Sequence, residues 1–374
     1  MIMEKREMPN LKIGELTIQY PIIQGGMGVG ISGASLASAV ANAGGIGVIS
    51  AVGLGMNEPD FQRNFKAANK RALKREIQKA RSLSDGIIGV NIMVALSDYD
   101  DLVEAAIEEE IDILFLGAGL PLKFSEAFPA ERLRSLKTKI APIVSSGKAA
   151  QVIMNFWTKK FNRLPDAFVV EGPMAGGHLG FKPEQIDDPD YALENLLPDV
   201  LAVVRSFEKE YDLHIPVIAG GGVFTGEDIH RMICLGAEGV QMGTRFVATH
   251  ECDADIRFKQ AYINAEENDL MIIKSPVGLP GRAIRNTFLT DVSAGIKKPF
   301  QCPWKCLRTC DYQESPYCIA LALMQAKQGK LDHGFAFAGS NAWRVNAIIG
   351  VNELFETLVE EYKNAAENVE CVRV

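Results

Sequence analysis

Excess positive charge, long apolar runs and histidine are all scarce in this chain. Its 374 residues carry 39 Lys and Arg against 47 Asp and Glu, a formal net charge of −8. A nucleic-acid binder usually presents a basic surface, so that class is excluded. No window of about 18 uncharged apolar residues occurs, so no transmembrane helix is expected and no membrane partner. The start, Met1 to Asn10, is charged and lacks the apolar centre of a signal peptide. A cytosolic protein is therefore expected, with its seven cysteines as reduced thiols or ligands rather than disulfides. There are only five histidines, so the setting of each can be weighed separately.

Hydrophobic residues make up 47% of the chain and charged residues 23%, an ordinary globular balance. The 34 glycines cluster at the ends of β-prone runs. Those runs are Ile22-Ile23, Ile46-Ser50, Ile87-Met93, Ile113-Leu116, Pro142-Ser145, Ala167-Val170, Pro216-Ala219 and Val240-Phe246. Helical patterns separate them, including Ser35 to Ala43, Asp101 to Glu110, Ala149 to Phe161 and Glu227 to Leu235. Eight strands without hairpin signals imply parallel pairing, and the strands are apolar on both faces as helix-covered strands are. Eight such units over about 250 residues match an α/β fold of the (β/α)8 TIM-barrel type. The barrel is expected over 11–250 and 343–370, with a last helix from Val345 to Glu367. Residues 251–342, which hold a cysteine cluster, are expected as a lid or subdomain. The basic run within 57–85 reads as a solvated amphipathic helix after the second strand.

Four motifs carry chemistry. The first, Gln24-Gly25-Gly26-Met27-Gly28-Val29-Gly30-Ile31-Ser32-Gly33, contains a G-x-G-x-x-G from Gly28 to Gly33. A dinucleotide fingerprint also needs an acid at the end of the next strand, and Ile49-Ser50-Ala51 has none. A glycine turn under a flavin ring, with Met27 against it, fits better; a plain strand-to-helix turn is the bland alternative. The second pairs Ala219-Gly220-Gly221-Gly222 with Gln241-Met242-Gly243-Thr244 at the ends of strands seven and eight. That is the usual phosphate position of such a barrel.

The third motif is Glu171-Gly172-Pro173-Met174-Ala175-Gly176-Gly177-His178. An imidazole after a glycine pair at a strand end has a clear approach from above, and one titrating near neutrality can act as acid or base. His214, His230, His250 and His333 lack such settings and read as structural or surface residues. The fourth is Cys302, Cys306, Cys310 and Cys318, spaced by four, four and eight. The spacing does not match a zinc ribbon. The thiols could hold a [4Fe–4S] cluster or pack a lid as reduced, redox-sensitive cysteines.

Taken together, Gly25-Gly26-Met27, Val90-Asn91-Ile92, Ala175 to His178, Ala219 to Gly222 and Gln241 to Thr244 resemble the nitronate monooxygenase family. The likeness extends to Ser275-Pro276-Val277-Gly278-Leu279-Pro280-Gly281-Arg282. This family, formerly called 2-nitropropane dioxygenase, includes the flavin-dependent enoyl-acyl-carrier-protein reductases. The resemblance implies a barrel with non-covalent FMN, held by Gly25, Gly26, Met27, Asn91, Glu171, Gly176, Gly177, Gly221, Gly222, Gln241, Met242, Gly243 and Thr244. His178 is then the catalytic histidine. The implied reaction turns an alkyl nitronate and O2 into a carbonyl compound and nitrite.

The first alternative is reduction of an enoyl thioester with NAD(P)H. Glutamate at 171 is what the enoyl reductases carry, where many nitronate monooxygenases have glutamine. The 63–81 helix would offer such a carrier-bound substrate a basic docking patch. A non-catalytic flavin-binding redox sensor is a further alternative, and a homodimer is left open.

Overall fold

Eight β-prone runs, each followed by helix or loop, assemble into one parallel sheet that closes on itself. The computed structural model describes residues 7–124, 128–296, 300–302, 304–368 and 371. The strands are β1 (Ile22–Gln24), β2 (Gly47–Ser50), β3 (Ile88–Met93), β4 (Ile113–Gly117), β5 (Lys139–Val144), β6 (Phe168–Glu171), β7 (Val217–Gly220) and β8 (Gly239–Met242). Each pairs in parallel with its sequence neighbour, and β8 pairs with β1. The ring closes between β1 and β2 through a bridge from Ile23 to Ile46. The fully buried Gln24 reinforces that seam, its Oε1 accepting from the Val48 N–H at 3.0 Å. This is a (β/α)8 barrel.

Alternation along the strands explains why they read as apolar on both faces. Ile23, Ile46, Val48, Ile113, Phe115, Val169 and Ile218 fill the interior, while Ile22, Ile49, Val90, Leu114, Val170 and Val240 pack under the helices. A hairpin of Leu11–Ile13 and Leu16–Ile18 supplies Leu11, Ile13 and Ile18 to the interior cluster and so plugs one end of the barrel. The opposite end, where β1 to β8 finish, carries the cavity described below.

Several expectations need correction. Hairpins were not expected, yet two antiparallel arrangements form. The first turns at Gly14, whose φ of 58° lies in the left-handed region. The expected strand over Val240-Phe246 stops at Met242, and Thr244–Val247 is a helical turn. The last helix begins at Val351, not Val345, and runs to Asn368; residues 369–370 lie outside the described residues. The expectation of reduced thiols fails for one pair, since Cys234 and Cys371 form a disulfide across 137 residues of sequence. No local spacing signals a bond of that span.

The basic helix is Phe61–Leu83. The helix holds eight Lys and Arg residues, and six of them face acids: Lys66, Lys70, Arg71, Lys74, Arg75 and Arg81 pair with Asp101, Glu104, Asp60, Glu108, Glu58 and Asp112. The run is therefore largely neutralised, by acids of the helix Tyr99–Glu108 and of the adjoining loops, and does not form the open basic docking patch expected of it.

Residues 251–342 contribute an antiparallel pair, Leu270–Lys274 with Pro280–Ile284. Its second strand also pairs with Gly177–His178, setting Gly281 opposite His178 and Arg282 opposite Gly177. The Arg282 side chain is buried at 7% exposure and donates to the carbonyls of Pro173 and Ala175. One guanidinium thus fastens the loop after β6 to the segment above the barrel. Arg282→Met leaves two buried carbonyls without donors, at a cost of roughly 1–3 kcal/mol each. Urea unfolding of the variant should show a loss of about 2–4 kcal/mol; a loss under about 0.5 kcal/mol would remove this arginine from that role.

Candidate active site

The C-terminal ends of the eight strands and the segment above them enclose a cavity of about 320 Å³. All of the expected cofactor residues line it: Gly25, Gly26, Met27, Asn91, Glu171, Gly176, Gly177, Gly221, Gly222, Gln241, Met242, Gly243 and Thr244, together with His178. Cys306 reaches the same wall and, with Cys302, Cys310 and Cys318, also borders a separate, smaller cavity.

Each wall has a local cause. The Gly25–Gly30 turn is held by the buried Ser32, whose Oγ accepts from the Met27 N–H at 2.8 Å. At Gly26 a methyl group would sit 2.3 Å from the Asn91 Cβ, so only glycine lets the turn lie against that side chain. At Gly177 (φ 82°) a methyl group would meet nothing within 4 Å and would project into open space beside His178. Asn91 is itself fixed by donation to the Phe115 carbonyl at 3.3 Å.

The G-x-G-x-x-G is not a dinucleotide site. At the start of the helix Ala34–Asn42, Asp253 accepts from the N–H groups of Gly33 and Leu36, and Glu76 accepts from Ala34. Carboxylates already occupy the place of a pyrophosphate.

The phosphate position after β7 and β8 is different. Gly222, Val223 and Gly243 line the cavity with backbone N–H groups that take no protein acceptor among the described residues. The Thr244 Oγ accepts from the Gly339 N–H at 3.2 Å, which leaves the hydroxyl proton for a ligand. At the end of β2 the buried Ser50 hydroxyl also lines the cavity without a partner among the described residues. A bare-backbone cradle, orphaned N–H groups and an orphaned hydroxyl fit a planar ring that carries a phosphate.

Two ionisable groups face this space. His178 Nε2 lies 2.7 Å from Ser275 Oγ, and the ring packs edge-on to Phe337 at 5.0 Å. Ser275 Oγ also accepts from the Val277 N–H at 3.3 Å. Burial lowers the His178 pKa to about 4. The expectation of an imidazole titrating near neutrality is therefore corrected: without a carboxylate partner, desolvation of the half-buried ring favours its neutral form. Burial acts in the opposite sense on Glu171 and raises its pKa to about 7.

Ser275 and Arg282 fall in the quoted 275–282 motif, yet no role could be read for either from sequence. Phe337, Ala338 and Gly339 also line the cavity; the small-residue run Ala336-Phe337-Ala338-Gly339-Ser340-Asn341 was the available signal for them. Among the other histidines, His214 is exposed between Glu208 and Glu238, and His230 is buried near the Cys234–Cys371 bond.

The nitronate monooxygenase family profile matches residues 10–120 and 103–361. A probable nitronate monooxygenase of Staphylococcus aureus is 31% identical over 307 residues, covering 74% of this chain and 79% of that protein. A Mycobacterium tuberculosis dehydrogenase of a hydroxy-methyl-oxo-octahydroindene-carboxyl-CoA is 30% identical over 280 residues, covering 75% of this chain and 67% of that protein. The solved structure of FabK from Thermotoga maritima superposes with a TM-score of 0.70 at 30% identity, over 94% of this chain and 95% of that one. Among the described residues no helix is long and apolar enough to cross a membrane. The likeness carries the family's character as flavin-dependent oxidoreductases, which sets aside a non-catalytic sensor. A barrel with this mouth and these motifs, matched along most of its length, belongs to the nitronate monooxygenase family.

Proposed function

We propose that this chain binds FMN and oxidises alkyl nitronates with O2 to carbonyl compounds and nitrite. The observation that carries the reading is the uncharged His178, fastened by Ser275 beside the bare backbone of Gly177. A base this weak does not strip a proton from a neutral nitroalkane at useful rates. Its ring N–H does suit an anion that is already formed, so the preferred substrate is the nitronate. Bound FMN would supply the electron-accepting ring. Gly25 to Met27, Asn91, Gly176 and Gln241 would seat that ring, and Gly222, Val223, Gly243 and Thr244 would donate to its phosphate.

A second reading, an NAD(P)H-dependent enoyl thioester reductase, draws on two observations. The cavity continues past the glycine cradle beneath Met56, Phe61, Leu96 and Trp304, more apolar room than a short nitroalkane fills. The Trp304 indole N–H there is buried and has no partner among the described residues, a donor available to a carbonyl of a longer substrate. The carboxyl-CoA substrate of the mycobacterial relative is a thioester of that general kind.

Anaerobic mixing of the purified holoenzyme with nitronate, NADH and NADPH in turn separates the two. The first reading expects nitronate alone to bleach the flavin, and the neutral nitroalkane to do so at least about a hundredfold more slowly. Complete bleaching by a nicotinamide with none by nitronate moves the assignment to the reductase.

Glu171 gives a second test. Above pH 7 its carboxylate faces an anionic substrate and repels it; below pH 7 it is protonated and neutral. With nitronate, kcat/KM should therefore fall by about tenfold as pH rises through 7. Glu171→Gln should hold the low-pH value across that range. An unchanged inflection in the variant would assign it to another group.

A further inference from the structure

The cysteines of residues 302–318 take no part in the chemistry above. Their loop is built onto the barrel mouth rather than hung from it. Leu307 forms an antiparallel bridge with Leu96, the Ser97 N–H donates to the Cys306 carbonyl, and the Arg308 N–H donates to the Ala95 carbonyl. Trp304 packs on Phe61 with ring centroids 5.0 Å apart. So anchored, the loop and the start of the helix Ile319–Lys327 bring Cys302, Cys306, Cys310 and Cys318 around one cavity of about 20 Å³. That exceeds the roughly 10–15 Å³ one water requires, so the thiols enclose space instead of packing on each other.

We infer that Cys302, Cys306, Cys310 and Cys318 are the four thiolate ligands of an iron–sulfur cluster of the four-iron type. The site stands whichever substrate the flavin site takes.

Two competing uses of the thiols fit less well. All four are free in the structure, although Cys234 and Cys371 are joined. A single tetrahedral zinc with 2.3 Å bonds holds its sulfurs about 3.8 Å apart. All four cysteines are among the described residues, yet no three of their sulfurs lie within 4.8 Å of one another. Thiolates at the corners of a cuboidal cluster stand farther apart than those around a single zinc, so the cluster does not need such a close triple.

Cys318 is the N-cap residue of its helix, whose positive end favours a negatively charged sulfur there. The Ser315 hydroxyl lies 3.8 Å from the Cys310 sulfur. Such contacts to sulfur tune cluster potentials. Cys306, Leu307, Ile319 and Ala320 line both this cavity and the larger one, so a single layer of residues separates the cluster site from the flavin site.

The test is metal and acid-labile sulfide analysis of full-length protein purified anaerobically, and of the same protein reconstituted with ferrous iron and sulfide. About four irons and four sulfides per chain are expected, with an electron paramagnetic resonance signal on reduction. The double variant Cys302→Ser/Cys310→Ser touches neither wall of the flavin cavity; it should lose the iron and keep its flavin. One zinc per chain without iron, or no metal in either preparation, overturns the inference. So does a double variant that keeps its full iron content. If the double variant does not fold, the wild-type metal analysis decides alone.

Discussion

A buried guanidinium decides where the chemistry of this molecule can take place. Arg282 sits opposite Gly177 in a three-stranded antiparallel sheet and donates to the carbonyls of Pro173 and Ala175. Those carbonyls belong to the loop that leaves β6, and desolvation makes their satisfaction compulsory. The same clasp fixes Gly176, Gly177 and His178 over the barrel mouth and draws the 270–284 hairpin down onto them. Ser275, from that hairpin, then reaches His178. The glycine turns after β1, β7 and β8 are built independently by the barrel, so the clasp brings an uncharged imidazole to a cradle that already exists.

Burial governs the electrostatics of the cavity more than any ion pair does. It drives His178 towards the neutral base and Glu171 towards the neutral acid. Below about pH 7 both groups are uncharged, and above it Glu171 alone of the two brings charge to the mouth. This suits a redox ring whose charge changes during turnover, because a permanently ionised neighbour would favour one oxidation state over the other. By contrast, the long cationic helix Phe61–Leu83 is neutralised by acids of the next helix and of the adjoining loops.

The barrel was legible in the sequence because a parallel strand buried on both faces leaves an unbroken apolar run, and eight such runs alternate with helical periodicity. The glycine turns were legible for a related reason: glycines clustered at strand ends mark a ligand face. What escaped detection depends on contacts distant in the chain. The Leu11–Ile18 hairpin is only eight residues long, too short to register as a pattern. The Cys234–Cys371 bond spans 137 residues. Ser275, Arg282 and Phe337 enter the site through an antiparallel sheet whose strands come from residues 177, 270 and 280, and no periodicity announces that pairing. His178 was identified from its glycine neighbours, but its protonation state was misjudged because desolvation is a property of the folded surroundings.

The central claim is that the turns after β7 and β8 bind the phosphate of a flavin mononucleotide whose ring rests on the β1 turn. Titration of flavin-free protein with FMN and with riboflavin, followed by quenching of flavin fluorescence, tests it most directly. Loss of several charge-assisted hydrogen bonds should weaken riboflavin binding by about a hundredfold or more relative to FMN. Equal affinities for the two flavins would contradict the assignment of Gly222, Val223, Gly243 and Thr244 to the phosphate.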